Sequence, residues 1–422
     1  MTQESAAGDE ADIREMAKRL ANVEAELKKA KEAEEKKKAD AALKPSVTPR
    51  GRLHTDAGWF HQSDTNKAVV GDIEDGTYFR RARLGFDMKA FEVTEYRLDF
   101  EMGGNGRPNI FDAYGRVTQL PYLANVQLGH FREPFSLEAQ TSSNWYTFIE
   151  RGLPNVFDPS RNWGLMTYNN YLDESVTFAV GVFRDGSDDF GDDVGESGER
   201  AVTARATWLP YYDEPSGRYY TILGVSGSYR EPDLHQVRYA QRPEFNLREQ
   251  NVGGVPNFVD TGNILTDNIQ LGGVEAAWVN GPLCLQSEFI CSNVNPQAGD
   301  DQFFHGAYAY VSYFLTGENR TFNRKIGQYD RLKIYENFFR VRTGEGICTG
   351  SGAWEVAARY SYLDLNDGVT RGGRVDDYTV GVNWYLSNYF RLMFNYIYSH
   401  LDDPTAPESD ANIFATRLDW HF

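Results

Sequence analysis

The side chains best placed to do chemistry in this sequence are arginines in an alternating run. In Tyr78-Phe-Arg-Arg-Ala-Arg-Leu-Gly-Phe86, a period of two puts Arg81 and Arg83 on one face. Ala82, Leu84 and Phe86 take the other face, and Arg80 is expected to point the same way as they do. A guanidinium is planar, stays charged and donates two parallel hydrogen bonds to a carboxylate or phosphate. Two on one face therefore suit anion coordination. The plainer reading is an ion pair with Asp99 or Glu101 on the following strand. No catalytic arrangement competes with this. The seven histidines, at 54, 61, 130, 235, 305, 400 and 421, are scattered, and neither a nucleophile elbow nor a phosphate-binding glycine loop occurs. No enzyme, cofactor or metal site is expected. Asp185-Gly-Ser-Asp-Asp-Phe-Gly-Asp-Asp193 faintly resembles a calcium loop but lacks the downstream bidentate glutamate, so it reads as a solvated acidic loop. Cys284, Cys291 and Cys348 are too few for a disulfide framework.

The elements that position these arginines are strands. Aromatic residues make up 14% of the 422 residues, with 39 glycines and a mean hydropathy of −0.55. No apolar run is long enough for a membrane-spanning helix, but a membrane strand needs only about 10 alternating residues. Trp354, Val356, Ala358, Tyr360 and Tyr362 alternate with Glu355, Ala357, Arg359 and Ser361. Similar segments centre near 59, 81, 97, 113, 127, 166, 178, 204, 223, 274, 286, 309, 357, 380, 394 and 417, an even set of sixteen. Tight connections alternate with long ones at 62–76, 132–162, 184–200 and 231–268, as in an outer-membrane barrel. Only Thr316–Ser351 is long on the short side. Trp59, Trp208, Trp384 and Tyr389 read as interfacial girdle residues. The last strand carries Phe414, Thr416, Leu418, Trp420 and Phe422 on one face. The expected fold is all-β, a 16-stranded antiparallel transmembrane barrel over residues 50–422.

Residues 1–45 form a separate unit without aromatics. Ile13, Met16, Leu20, Val23, Leu27 and Ala30 follow a three-and-four spacing, which predicts a coiled coil over 11–30 or, more plainly, a lone amphipathic helix. The N-terminus shows no apolar signal segment, so a signal peptide is absent or already removed. The formal charge of −18 excludes a nucleic-acid partner, which would need a basic footprint.

Residues 50–422 resemble the phosphate-selective porin O and P family, trimeric sixteen-stranded channels. The stretches that carry the likeness are Tyr78–Phe86, Gly129-His-Phe-Arg-Glu-Pro-Phe-Ser-Leu-Glu138, Phe148-Ile-Glu-Arg-Gly-Leu-Pro154, Phe314-Leu-Thr-Gly-Glu318, Gly352–Ser361 and Gly381-Val-Asn-Trp-Tyr385. The resemblance implies that loops 132–162 and 231–268 and turn 316–351 fold inward and narrow the lumen. It also implies a ladder of lumen arginines, which carries over to Arg52, Arg80, Arg81 and Arg151 and, more loosely, to Arg238, Arg242 and Arg248. Lys325, Arg331 and Lys333 in the inward turn would extend the basic path. Arg132 and Arg161, at the ends of the first loop, are expected nearer the wall. With that turn inward, Cys284 and Cys348 come to the same end and are the expected pair if any bridge forms. The implied protein is an outer-membrane homotrimer, in contact with lipid, that passes small anions such as phosphate. Its N-terminal tail would be periplasmic and positioned to meet peptidoglycan. The acidic barrel keeps two alternatives open: a general or cation-preferring porin, and a structural tether between membrane and cell wall.

Overall fold

The structure, a computed structural model, describes all residues except 1–2, 104–107, 186–198, 248–253 and 345. Sixteen strands follow one another: β1 (Ser46–Gln62), β2 (Gly76–Ala90), β3 (Thr94–Glu101), β4 (Asn109–Leu120), β5 (Ala124–Arg132), β6 (Arg161–Tyr171), β7 (Val176–Phe183) and β8 (Arg200–Tyr212). Then come β9 (Tyr219–Glu231), β10 (Ile264–Asn280), β11 (Leu283–Pro296), β12 (Gln302–Phe314), β13 (Ala353–Asp367), β14 (Thr370–Ser387), β15 (Phe390–Asp402) and β16 (Ser409–His421). Each pairs antiparallel with its sequence neighbours, and β16 returns to β1, with Arg52 opposite His421 and Gln62 opposite Ala411. Closure leaves no strand edge, the condition for a sheet to span lipid. All sixteen expected centres fall inside these strands.

Alternation sorts the two faces as expected. Along β16, Ala411, Ile413, Ala415, Arg417 and Asp419 are buried inward, while Phe414 and Trp420 are exposed outward. Among the described residues no helix is long and apolar enough to cross a membrane; the strands form the wall. The connections at the end holding the chain termini are short, except for residues 315–352.

The inward face is not uniformly polar. Phe135, Ile149, Leu153 and Phe157 from the 133–160 connection, with Tyr239, Phe245 and Phe258 from the 232–263 connection, pack on Leu363, Leu365, Val375, Ile397 and Leu401 of β13–β15. A second cluster joins Phe148, Phe322 and Tyr329 to Tyr220, Ile222, Val279 and Tyr308. Connecting segments thus fill the lumen against β9–β16 and leave the β1–β8 side open. The first connection is anchored where Leu137 and Glu138, opening the short helix Leu137–Gln140, donate backbone N–H groups to the Glu288 carboxylate at 3.1 and 2.8 Å. A carboxylate is favoured there because the first N–H groups of a helix have no intrahelical partner.

The long turn divides in two, which corrects the expectation that all of it folds inward. Its first half enters the barrel, where Arg320 reaches Glu355 at 3.1 Å and the Gly327 carbonyl accepts from Arg205 at 2.8 Å. Its second half, a hairpin pairing Val341–Thr343 with Gly346–Cys348, stays at the rim. The expected Cys284–Cys348 pair is therefore not formed: Cys284 is buried beneath Tyr329, Cys348 is exposed in that hairpin, and all three thiols are free. The N-terminal unit is one helix, α1 (Gln3–Ala42), with Met16, Leu20, Val23 and Leu27 all exposed.

Candidate functional site

The open side of the lumen is a cavity of about 500 Å³. Its lining carries eleven arginines and Lys325 against one carboxylate, Asp112, among the described residues. Two irregularities in strand pairing build it. Between β1 and β2, His54 faces Arg81 but Thr55 faces Phe79, so Arg80 has no opposite residue. In such a bulge two residues oppose one and the side chains are re-aimed. Arg80 and Arg81 consequently both turn inward, as the family resemblance implies for Arg80 and against the outward direction expected from simple alternation. Both meet Glu150, with contacts of 2.8 and 3.2 Å from Arg80 and 3.4 Å from Arg81. Between β3 and β4, Asp99 faces Asp112 while Phe100 faces Ile110, leaving Phe111 between them. Phe111 and Asp112 accordingly both line the cavity.

Most of the lining guanidinium groups are paired with carboxylates, some on neighbouring strands and some, Glu150 and Asp158, on the inward connection. Arg83 donates to Glu101 at 2.5 Å, so the ion-pair reading holds for Arg83, whereas Arg81 uses Glu150 in place of Asp99 or Glu101. Arg161 forks onto Asp112 at 2.9 and 3.4 Å, and Arg205 onto Glu275 at 3.2 and 2.6 Å. Arg417 bridges Asp56 and Glu150. Burial pushes the Glu150 carboxyl up, but Arg80, Arg81 and Arg417 hold it well below the usual carboxylate range. Two lining arginines have no carboxylate partner among the described residues. Arg52 donates to Ser143 Oγ at 2.7 Å, and Arg151 donates to the Glu138 and Ala139 carbonyls at 3.3 and 3.2 Å.

The remaining expected positions divide. Lys325 lines the cavity, 3.8 Å from Glu174. Arg238 is away from it, exposed and paired with Asp260. Arg242 is half-buried and outside the lining, and Arg248 lies outside the described residues. Arg331 stacks over Trp145 and Tyr389 at 5.5 and 4.8 Å, and Lys333 is exposed; neither lines the cavity. Arg132 and Arg161 carry carboxylate partners, Asp158 and Asp112, yet still line it. Asp185 in the acidic run pairs with Arg230 at 2.6 Å instead of standing in solvent. Positions 188, 189, 192, 193 and 196 lie outside the described residues. Arg50, Arg97, Arg116 and Arg205 were missed as lining residues; period-two alternation on β1, β3, β4 and β8 was the signal that could have found them.

A closed sixteen-stranded antiparallel barrel with an apolar outer face and a cation-lined interior defines an outer-membrane channel, not an enzyme. Its strands, loops and lining place it within a known group of porins. The chain belongs to the phosphate-selective porin O and P family, whose model matches residues 47–422. It is 27% identical over 406 residues to Porin O of Pseudomonas aeruginosa, covering 88% of this chain and 87% of that protein. The barrel superposes on the anion-selective porin from Comamonas acidovorans with a TM-score of 0.53 at 14% identity, over 90% of this chain and 100% of that one. The outer membrane channel DcaP of Acinetobacter baumannii gives 0.54 at 13% identity, over 90% and 97%. These two likenesses concern the fold alone.

Proposed function

We propose that the chain is a trimeric diffusion channel for small anions, phosphate among them. In this reading the 133–160 and 232–263 connections and the inner half of residues 315–352 form the constriction. The lining of eleven arginines and one lysine against a single carboxylate carries the proposal. Two unit charges 4 Å apart interact by about 1 kcal/mol in bulk water but by about 4 kcal/mol at an effective dielectric near 20. Guanidinium groups facing a narrow water column thus outweigh a net charge of −18 spread over the whole chain. Arg52 and Arg151 hold no carboxylate among the described residues and are the strongest candidates for direct contact with a passing anion. Planar-bilayer reversal potentials in a potassium chloride gradient test this. Anion preference supports it, and cation preference favours a general porin governed by the acidic surface.

A second, compatible reading concerns α1. Met16, Leu20, Val23 and Leu27 are 67%, 61%, 59% and 57% exposed, a seam at heptad spacing with nothing covering it in one copy. Three barrels side by side would bring three such seams together as a parallel coiled coil on the periplasmic side. Its lysine-rich stretch would be available to peptidoglycan, and binding of the intact protein to purified sacculi tests the tether.

A further inference from the structure

We infer that the rim hairpin, through its arms 338–343 and 346–348, is a docking site for the headgroups of anionic glycerophospholipids in the leaflet at the terminus end of the barrel. The inference rests on the outer-membrane location and is independent of ion selectivity. Phe338 is tied to the barrel rim: its N–H donates to the Leu386 carbonyl at 2.8 Å, and it bridges Ser351. Its ring meets Trp384 edge-on, with centroids 4.8 Å apart, and Trp384 stacks on Trp354 at 5.0 Å. Trp354 and Trp384 belong to the outward faces of β13 and β14, so the hairpin continues the outer wall of the barrel and not its lumen.

At the next residue the chain turns sharply. Phe339 has a φ of 70°, uncommon for a bulky side chain and costly unless the surroundings hold it. The Phe339 N–H donates to the Gly350 carbonyl, and the ring is left 62% exposed. Ile347 is 56% exposed on the other arm. Arg340 and Arg342, both exposed, have no carboxylate partner among the described residues. Aromatic and aliphatic groups continuous with a tryptophan pair, interleaved with exposed arginines, match the boundary between acyl chains and headgroups. Arginine forks there meet phosphate oxygens while Phe339 and Ile347 enter the acyl region. An aqueous partner would leave the tryptophan continuity without a purpose.

The full chain carrying Cys291→Ser supplies the test, because Cys348 then offers a single exposed thiol and Cys284 stays buried. A polarity-sensitive label on Cys348 should emit to the blue in vesicles of phosphatidylcholine with 30 mol% phosphatidylglycerol, roughly a membrane's share of anionic lipid. Brominated acyl chains should quench it. In detergent-released protein, native mass spectrometry should detect bound phosphatidylglycerol. Each basic residue near an anionic surface contributes on the order of 1 kcal/mol, so Arg340→Gln with Arg342→Gln should weaken that retention by roughly thirtyfold. Heat-modifiable migration on a gel confirms in each variant that the barrel is folded, separating failure of this inference from failure of the barrel. An emission unmoved by membranes, or phosphatidylglycerol retention unchanged in the double variant, overturns the inference. So does cross-linking of Cys348 to a second copy, which would make the hairpin an interface between copies.

Discussion

The guanidinium carbon of Arg83 sits 3.4 Å from the centroid of the Phe111 ring, and that ring also carries Arg161 at 3.6 Å. Two cations from strands far apart in sequence are thereby held by one apolar side chain that a bulge turned inward. A desolvated contact of this kind contributes about 2 kcal/mol. Phe111→Leu should keep the barrel folded while letting both arginines sample other rotamers. Single-channel records should show noisier open-state current and weaker anion preference. Records matching the parent in both respects would remove Phe111 from the ion path.

Arginines with and without carboxylate partners should differ in their influence. Arg151→Ala and Arg52→Ala remove charges held by carbonyl, hydroxyl or ring contacts and by no carboxylate among the described residues, so each should move the reversal potential toward cation preference. Arg81→Ala should shift it less, because Glu150 already offsets part of that charge. An equal shift from all three would mean that the partner carboxylates do not screen the lining.

Glu150 joins Arg80, Arg81 and Arg417. Glu150→Gln removes the carboxylate partner of Arg80 and of the buried Arg81 and leaves Arg417 with Asp56 alone, and breaking a buried pair in this way costs about 3–5 kcal/mol. The expected result is a lower thermal transition on a heat-modifiability gel, together with stronger anion preference.

The acid dependence follows from the depressed acidity of Glu150. A carboxyl held below its ordinary value contributes stability that is fully present above that value and is lost as pH falls through the lowered one. Glu150 should therefore stay ionised at pH 5 and above, and its contribution should fade only in strong acid. Melting transitions of parent and Glu150→Gln, compared from pH 8 to pH 3, should keep a constant separation down to about pH 4, near the ordinary carboxylate value. A gap that closes near pH 6 would contradict this.

Leu20→Asp places a charge in the exposed seam of α1. Helicity by circular dichroism should fall while the barrel still assembles. An unchanged spectrum would show that α1 stands as a lone helix.

The strands were legible because alternation is a local property of the chain, and each of the sixteen centres needed only its own neighbours. The bulges at Arg80 and Phe111 were not, since a bulge is a mismatch between two strands and leaves no mark on either one alone. Leu363, Leu365 and Val375 belong to the inner face, and alternation along a strand does not say whether such a face meets water or protein. The answer depends on where residues 133–160 and 232–263 pack. The long turn was visible as an anomaly of length, yet its division into an inner and an outer half follows from contacts as separate as Arg320 with Glu355 and Phe338 with Trp384.

The apolar filling against β9–β16 leaves the open cavity on the β1–β8 side of the barrel. With that cavity as the conduit, strand count would no longer set conductance, because much of the enclosed cross-section would carry no current. A passing ion would shed water on the arginine side while keeping it elsewhere, so dehydration would be lopsided and the energetic toll smaller than in a central bottleneck. Widening such a channel would be a matter of trimming its connecting segments, with the cylinder itself left untouched.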